Sequence, residues 1–216
     1  MAGFRPVQPA VTDASRRTTL LAHNAGTWEG WFVRCDGRGR ELERFASLLT
    51  VQDQQGTIEA ALTNRTTGSV RRMAFQQPPA EMQIDPLGHW SLGPDRIGAW
   101  PWVCELCLVV GPRRRRVVVR HGSEGLESLV LVWEARSGVE DPPPAAPLVL
   151  SSRPLAHSEA GPRLLWRPDP RLEVETMAGP RGVGAEQVLL RWDPQAAAVQ
   201  SIRRAYGSYG ALIPLA

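Results

Sequence analysis

The chain has 216 residues, 43% of them hydrophobic, which is enough to bury a substantial core and excludes global disorder. All 25 basic residues are arginine and 22 acidic residues are interspersed among them, so a formal charge of +3 and a pI near 9.1 do not amount to a nucleic-acid-binding surface. The three cysteines, Cys35, Cys104 and Cys107, are too few and too odd in number for a secreted disulfide scaffold, and no run approaches the roughly 18 apolar residues of a membrane span. A soluble, intracellular protein is expected. The all-arginine set suits planar contacts to carboxylate or phosphate, but it is also what a GC-rich genome leaves behind.

In chain order, one segment, 12–22, carries helix signals, with Thr12 or Asp13 as N-cap. After it come short β-type runs broken by Gly, Pro, Asp and Asn. Strands are expected at 27–34, 44–52, 57–64, 69–75, 81–84, 88–92, 102–110, 113–121 and 126–135. Turns fall at Asp36-Gly37-Arg38-Gly39, Gln54-Gln55-Gly56, Thr66-Thr67-Gly68, Gly111-Pro112 and 122–125. About nine strands at this spacing are the pattern of an up-and-down barrel or sandwich. Three consecutive prolines, 142–144, then break the chain and exclude a continuing central strand.

The organisation expected is therefore all-β. An antiparallel β-barrel occupies 18–138, a Pro-rich linker 139–147, and a reduced second β-rich segment 148–216. Apolar runs at 148–150, 172–177 and 188–192 and a last strand pair over 199–211 are the material for that segment. VVVRHGSEGL at 117–126 is echoed by IRRAYGSYGA at 202–211, which makes the second part a candidate reduced copy of the first, although Gly-Ser-x-Gly turns are common in hairpins.

Several constellations could carry function. In Gly26-Thr27-Trp28, a first-strand Trp can seal the closed end of a small barrel, the Gly two residues earlier lets the chain enter tightly, and an Arg from a late strand can stack on the ring. Alternation puts Trp28, Gly30, Phe32 and Arg34 on one face and Trp31 and Val33 on the other. Packing of Trp28 as a plug competes with its use as a ligand floor. Trp90, Trp100 and Trp102 lie within thirteen residues, and Trp100-Pro101-Trp102 is stiff; this suits a barrel mouth, a protein contact or strand-end packing. Cys104 and Cys107 are three apart in a strand, so they face opposite sides, and a structural zinc lacks its other ligands. Arg113, Arg114, Arg115 and Arg116 could hold an acidic partner, or straddle a hairpin in solvent. Arg120 and His121 end the same run and could form a polar cluster with Glu124. No ordering of Ser, His and Asp, no paired carboxylates and no phosphate loop point to catalysis. No catalytic residue, metal or cofactor is expected.

The segments HNAGTWEGWFVR, RFASLLTV, FQQPPAEMQI, GHWSLGPDRIG and RRRRVVVRH…GLESLVLVWEAR carry a resemblance. Over about residues 18–136 the chain resembles largely uncharacterised cyanobacterial lipocalin-like proteins, which share a domain with a chloroplast factor needed for ATP synthase biogenesis. The tail RWDPQAAAVQSIRRAYGSYGALIPL is similar to the last strands of that factor's second barrel-like domain, whose middle is shortened here. The resemblance implies a calycin-type barrel in a cyanobacterial, cytoplasmic setting near thylakoids. It also implies a non-catalytic assembly factor holding a protein partner such as the ATP synthase head. The partner surface would use Trp100, Trp102, Arg113, Arg114 and Arg115. The alternative is a barrel binding a small apolar ligand, a bilin or fatty acid, with Trp28, Phe32, Trp90, Arg120 and His121 at its base or wall; related cyanobacterial barrels attach bilins to proteins. A lyase would need a polar group inside the barrel, for which Arg120 and His121 are the sources.

Overall fold

The protein is described here from a computed structural model covering residues 13–98, 101–158, 161–178, 186–195, 197–207 and 209–215. Helix α1 (Asp13–Asn24) precedes β1 (Gly26–Asp36), β2 (Glu41–Gln54), β3 (Thr57–Asn64), β4 (Val70–Phe75), β5 (Gln83–Ile84), β6 (Trp90–Leu92), β7 (Trp102–Val110), β8 (Arg113–Gly122) and β9 (Gly125–Arg136). These nine strands form one antiparallel sheet in the order β4-β3-β2-β1-β9-β8-β7-β6-β5, curled into a half-barrel with β4 and β5 as its edges. Each lies within three residues of an expected strand. A second antiparallel sheet, β10 (Ser152–Ser158), β11 (Gly161–Asp169), β12 (Leu172–Met177), β13 (Glu186–Trp192) and β14 (Gln200–Tyr206), runs in simple chain order.

The half-barrel buries both of its faces. On the concave face, Trp28, Leu49, Ile58, Ala60, Trp90, Cys107 and Val109 pack with Leu20 of α1 and Met82. On the convex face, Val33, Cys35, Leu106, Leu108, Val117, Val119, Leu129, Leu131 and Trp133 form a second core with Trp166, Leu172, Val174, Val188, Leu190, Trp192 and Ile202 of the small sheet. Successive residues of a strand point to opposite faces, so β7 sends Cys104 to one core and Cys107 to the other. The small sheet lies across β6 to β9. Strands β11 to β14 thus bury apolar side chains such as Trp166, Val174, Leu190 and Ile202 against the outer wall of the half-barrel. The prolyl segment joining the sheets is pinned at both ends, by Arg115 Nη2 on Asp141 Oδ1 (2.7 Å) and by Arg44 Nη1 on the Pro144 carbonyl (2.8 Å).

Strands β10 and β11 have no counterpart in the sequence reading. Each contains proline, which signals a break, yet β10 is a sheet edge, where a proline such as Pro154 is tolerated. In β11, Pro162 sits next to the strand start and Pro168 lies where the pairing register shifts, between Trp166 and Asp169.

Helix α1 carries Asp13 in its first turn and His23 in its last, in keeping with its dipole. It is tied across one end of the half-barrel. Arg17 Nη2 reaches Asp53 (2.8 Å) at the tip of β2, and its Nε donates to Gln76 O (3.0 Å), while Arg16 Nη2 donates to Pro79 O (2.6 Å). Segment 76–82 crosses from β4 towards β5, so this helix and this crossing occupy the gap that the open sheet leaves. No helix among the described residues is long and apolar enough to cross a membrane.

The two echoed decapeptides converge. His121, fifth in one, stacks on Trp102 with ring centroids 5.4 Å apart; Tyr206, fifth in the other, meets the same ring edge-on at 5.8 Å. Burial pushes the His121 imidazole down to about 4, against the opposing pull of the Glu127 charge and a backbone bond at Gly125. An unfolded chain protonates near pH 6.5, the buried ring only near 4. Between these values the unfolded state binds the extra proton, and stability falls as pH is lowered. Chemical denaturation between about pH 6.5 and 5 should show a loss of roughly 2 kcal/mol from this group. In His121→Phe that part of the slope should disappear; a slope unchanged by the substitution would assign it elsewhere.

Candidate functional site

The closed end of the half-barrel is built around Trp28. Gly26 enters β1 with φ +107°, a conformation L side chains rarely adopt, and a Cβ there would overlap the Arg136 guanidinium. Arg136, at the end of β9, places that guanidinium 3.8 Å from the Trp28 ring centroid and donates to the carbonyls of Ala25 and His23. Asn24 is the hub. Its carbonyl accepts the Trp28 indole N–H (2.9 Å), its Oδ1 accepts that of Trp90 (3.1 Å), and its Nδ2 donates to Gly88 O (3.0 Å). Two buried indoles and a buried amide are thereby satisfied together.

Beside Trp28 runs a row of charges. Gly30 of β1 pairs with Glu134 of β9, which pairs with Arg114 of β8. A Cβ at Gly30 would overlap the Trp133 carbonyl and Glu134 Cγ, so the glycine makes room for this carboxylate. Arg114 Nε donates to Glu134 Oε2 at 2.7 Å, with both side chains almost wholly buried, and its guanidinium lies 4.3 Å from the Trp28 centroid. Arg116 lies two residues on, facing the same way, 3.2 Å from Glu105 of β7 and 3.5 Å from Glu134, and over the Phe32 ring at 5.3 Å. Burial raises the Glu134 carboxyl, but the charges of Arg114 and Arg116 and the bond from Arg114 outweigh it and hold it below the ordinary carboxylate range. Burial lowers Arg116 less than Glu134 and Glu105 raise it.

This row forms one wall of an open cavity of about 310 Å³ on the concave face. Most of the rest is apolar: Phe32, Leu49, Ile58, Ala60, Met82 and Trp90, with Met73 and Phe75 of β4 at the side. Arg71 of β4 adds a third guanidinium.

Of the residues expected at a ligand site, Phe32 and Trp90 line this cavity, and Trp28 lies under it as a fully buried plug. Arg120 and His121 do not line it. Arg120 is half-exposed and paired with Glu127 at 2.7 Å, and His121 faces the small sheet. The partner-surface set is corrected by burial. Trp102, Arg114 and Arg115 are interior, because β8 is covered on both faces and its arginines alternate between them rather than standing in solvent. Arg115 stacks over Trp192 at 4.7 Å and pairs with Asp141. Arg113 is the partly exposed member, donating to Glu140 O at 3.1 Å, and Trp100 lies outside the described residues. Sequence reasoning missed Asn24, Glu105, Glu134 and Arg116 as partners. The available signal was a lone Glu in each of two apolar strands, WVCELCLVV and LVLVWEAR, since a buried carboxylate requires a cation.

No protein-family model and no curated protein matches the chain. Among solved structures it is similar to a protein of unknown function from the DUF3598 family, from the cyanobacterium Nostoc punctiforme PCC 73102. The two share 16% identity with a TM-score of 0.72 over 90% of this chain and 94% of that one. At that identity the likeness is one of fold.

Removing one member of a buried ion pair strands the other. Arg114→Met alone should cost about 3–5 kcal/mol in urea unfolding, and the paired change R114M/E134Q about half of that or less. Equal losses in the two proteins would show that the pair is not coupled.

Proposed function

We propose that this protein is a non-catalytic, lipocalin-like binding protein that holds a small apolar ligand in its half-barrel. The observation that carries the reading is the cavity itself. Its walls are mostly aliphatic and aromatic, Glu105, Arg114 and Arg116 stand together on one side of it, and its volume of about 310 Å³ lies at the lower end of the range of ligand sites. That size favours a single hydrocarbon chain or small ring system over a tetrapyrrole. The Gly-x-Trp on the first strand, clasped by an arginine from the last strand of the sheet, supports the lipocalin comparison. It seals one end and leaves the space beyond it for a guest.

The partner-holding, assembly-factor reading has less support. Three of the five residues that would form its surface are committed to the protein's own packing. Nothing in the cavity places a nucleophile beside a base, so no reaction is assigned to it.

Ala60 lies against the cavity floor between Ile58 and Leu62. A neutral apolar dye, Nile red, should bind the wild-type protein with enhanced, blue-shifted fluorescence at micromolar concentration. Ala60→Phe fills the space and should weaken that binding by about tenfold or more, while thermal unfolding moves by only a few degrees, roughly the cost of modest overpacking. Undiminished dye binding in this variant would remove the cavity as the site.

A further inference from the structure

The four sheet edges are not built alike. β5 is two residues long, β10 carries Pro154, and the outer side of β14 is covered by the segment that follows it, with Ile213 N–H donating to Ala205 O at 2.8 Å. Each of these devices keeps a foreign strand from adding to the sheet. β4 has none of them. It is six residues long, free of proline, and in unbroken register with β3. Residues 70–74 are exposed, Val70 at 47% and Met73 at 52%, and only Phe75, beside the crossing at 76–82, is partly buried.

The ladder fixes which backbone groups of β4 are open. Asn64 N–H donates to Ser69 O (2.9 Å), so these two form a hydrogen-bonded pair. Bonded and unbonded pairs alternate along an antiparallel ladder. Arg71, Met73 and Phe75 therefore turn their N–H and C=O groups towards β3, and Val70, Arg72 and Ala74 turn theirs outward. No described strand pairs with that outer side.

A second copy of this strand fits the open edge in one register. Directly opposed residues of an antiparallel pair both turn their backbone groups inward or both outward, so a two-fold axis passes through a residue and not between two. At Arg71 or Arg72 the axis sets like charges face to face. At Val70 it runs the pairing into the preceding turn, and at Ala74 or Phe75 it runs it past the strand to Gln76, whose carbonyl already accepts from Arg17 (3.0 Å). At Met73 the strand is used along its length. Arg72 and Ala74 exchange backbone hydrogen bonds with the partner's Ala74 and Arg72, and the two Met73 side chains meet across the axis.

The side chains agree with this register. Opposed residues share a face, so Arg71 lies against the partner's Phe75 ring. On the other face Arg72 lies beside the partner's Ala74, and the partner's Glu59 stands one strand further on, because Ala74 pairs with Glu59 in β3. Two strand spacings, about 10 Å, are spanned by an arginine and a glutamate reaching across an alanine. Neither Arg72 nor Glu59 has an ion partner among the described residues.

We propose that β4 is a dimer strand, pairing antiparallel with β4 of a second copy about a two-fold axis at Met73 and joining the two nine-stranded sheets edge to edge. The interface is narrow, so the dimer is a weak one that forms at micromolar concentration.

Sedimentation velocity between about 5 and 500 μM should carry the wild type from monomer towards dimer. Met73→Lys sets two ammonium groups face to face on the axis and should raise the dimer dissociation constant about tenfold or more. Thermal unfolding of the protomer should not change, since the side chain is half-exposed. The register is read separately. Oxidised with diamide, Met73→Cys should give a disulfide-linked dimer, because opposed residues of an unbonded pair have Cα atoms about 4.5 Å apart. Val70→Cys, which stands opposite residue 76 in this register, should not, and the natural cysteines Cys35, Cys104 and Cys107 are buried. A wild type that stays monomeric over the whole range would overturn the proposal and leave this edge to an extended strand of another protein. A dimer that Met73→Lys leaves as tight, or that Val70→Cys links as readily as Met73→Cys, would overturn the placement at this strand and register.

Discussion

Strands β7, β8 and β9 must satisfy two cores at once, and the rest of the structure follows from that constraint. Their convex side chains fill the interface with the small sheet, and their concave ones face the half-barrel. Where the concave members are charged, they must pair with one another. Glu134 of β9, Arg114 and Arg116 of β8 and Glu105 of β7 do so across neighbouring strands. The pairing also specifies register. A slip of one residue would turn Arg114 and Arg116 into the convex core and bring Val117 into the charged row, a cost on both faces. Ion pairs of this kind contribute little net stability, but here they exclude the alternative pairings of three strongly apolar strands.

The same sheet needs an end. It does not close upon itself, so helix α1 and the crossing at 76–82 supply what a closed barrel would have obtained from pairing β4 with β5. Asn24, Trp28, Trp90 and Arg136 lock that end with bonds satisfied within the protein. The charged row in front of them is ion-paired within the protein and lines the cavity through Arg114, Arg116 and Glu105.

Much of this was legible in the chain. The nine strands of the large sheet and the helix follow from turn residues and apolar runs, and Gly26-Thr27-Trp28 announced both its tight entrance and the late-strand arginine over the ring. Alternation also separated Trp28 from Trp31 and Cys104 from Cys107. The side of each strand that would meet water was not legible, because in LCLVV and VVV both faces are apolar and nothing in a single sequence says that a second sheet covers the outer one. That omission is why the arginine run read as a solvated hairpin and why Trp102 read as a contact residue. Prolines 154, 162 and 168 concealed β10 and β11, since a proline is tolerated at an edge or an irregularity that only the assembled sheet reveals.

The central claim, that the concave cavity holds an apolar guest, is tested most directly by the indole N–H resonances in a ¹⁵N-labelled sample titrated with decanoic acid. Trp90 lines the cavity, while Trp133, Trp166 and Trp192 belong to the core between the sheets. The account predicts a saturable shift of the Trp90 indole resonance with those three essentially fixed. Shifts confined to Trp133 and Trp192, or no shift at Trp90 under conditions where the acid binds, would contradict it.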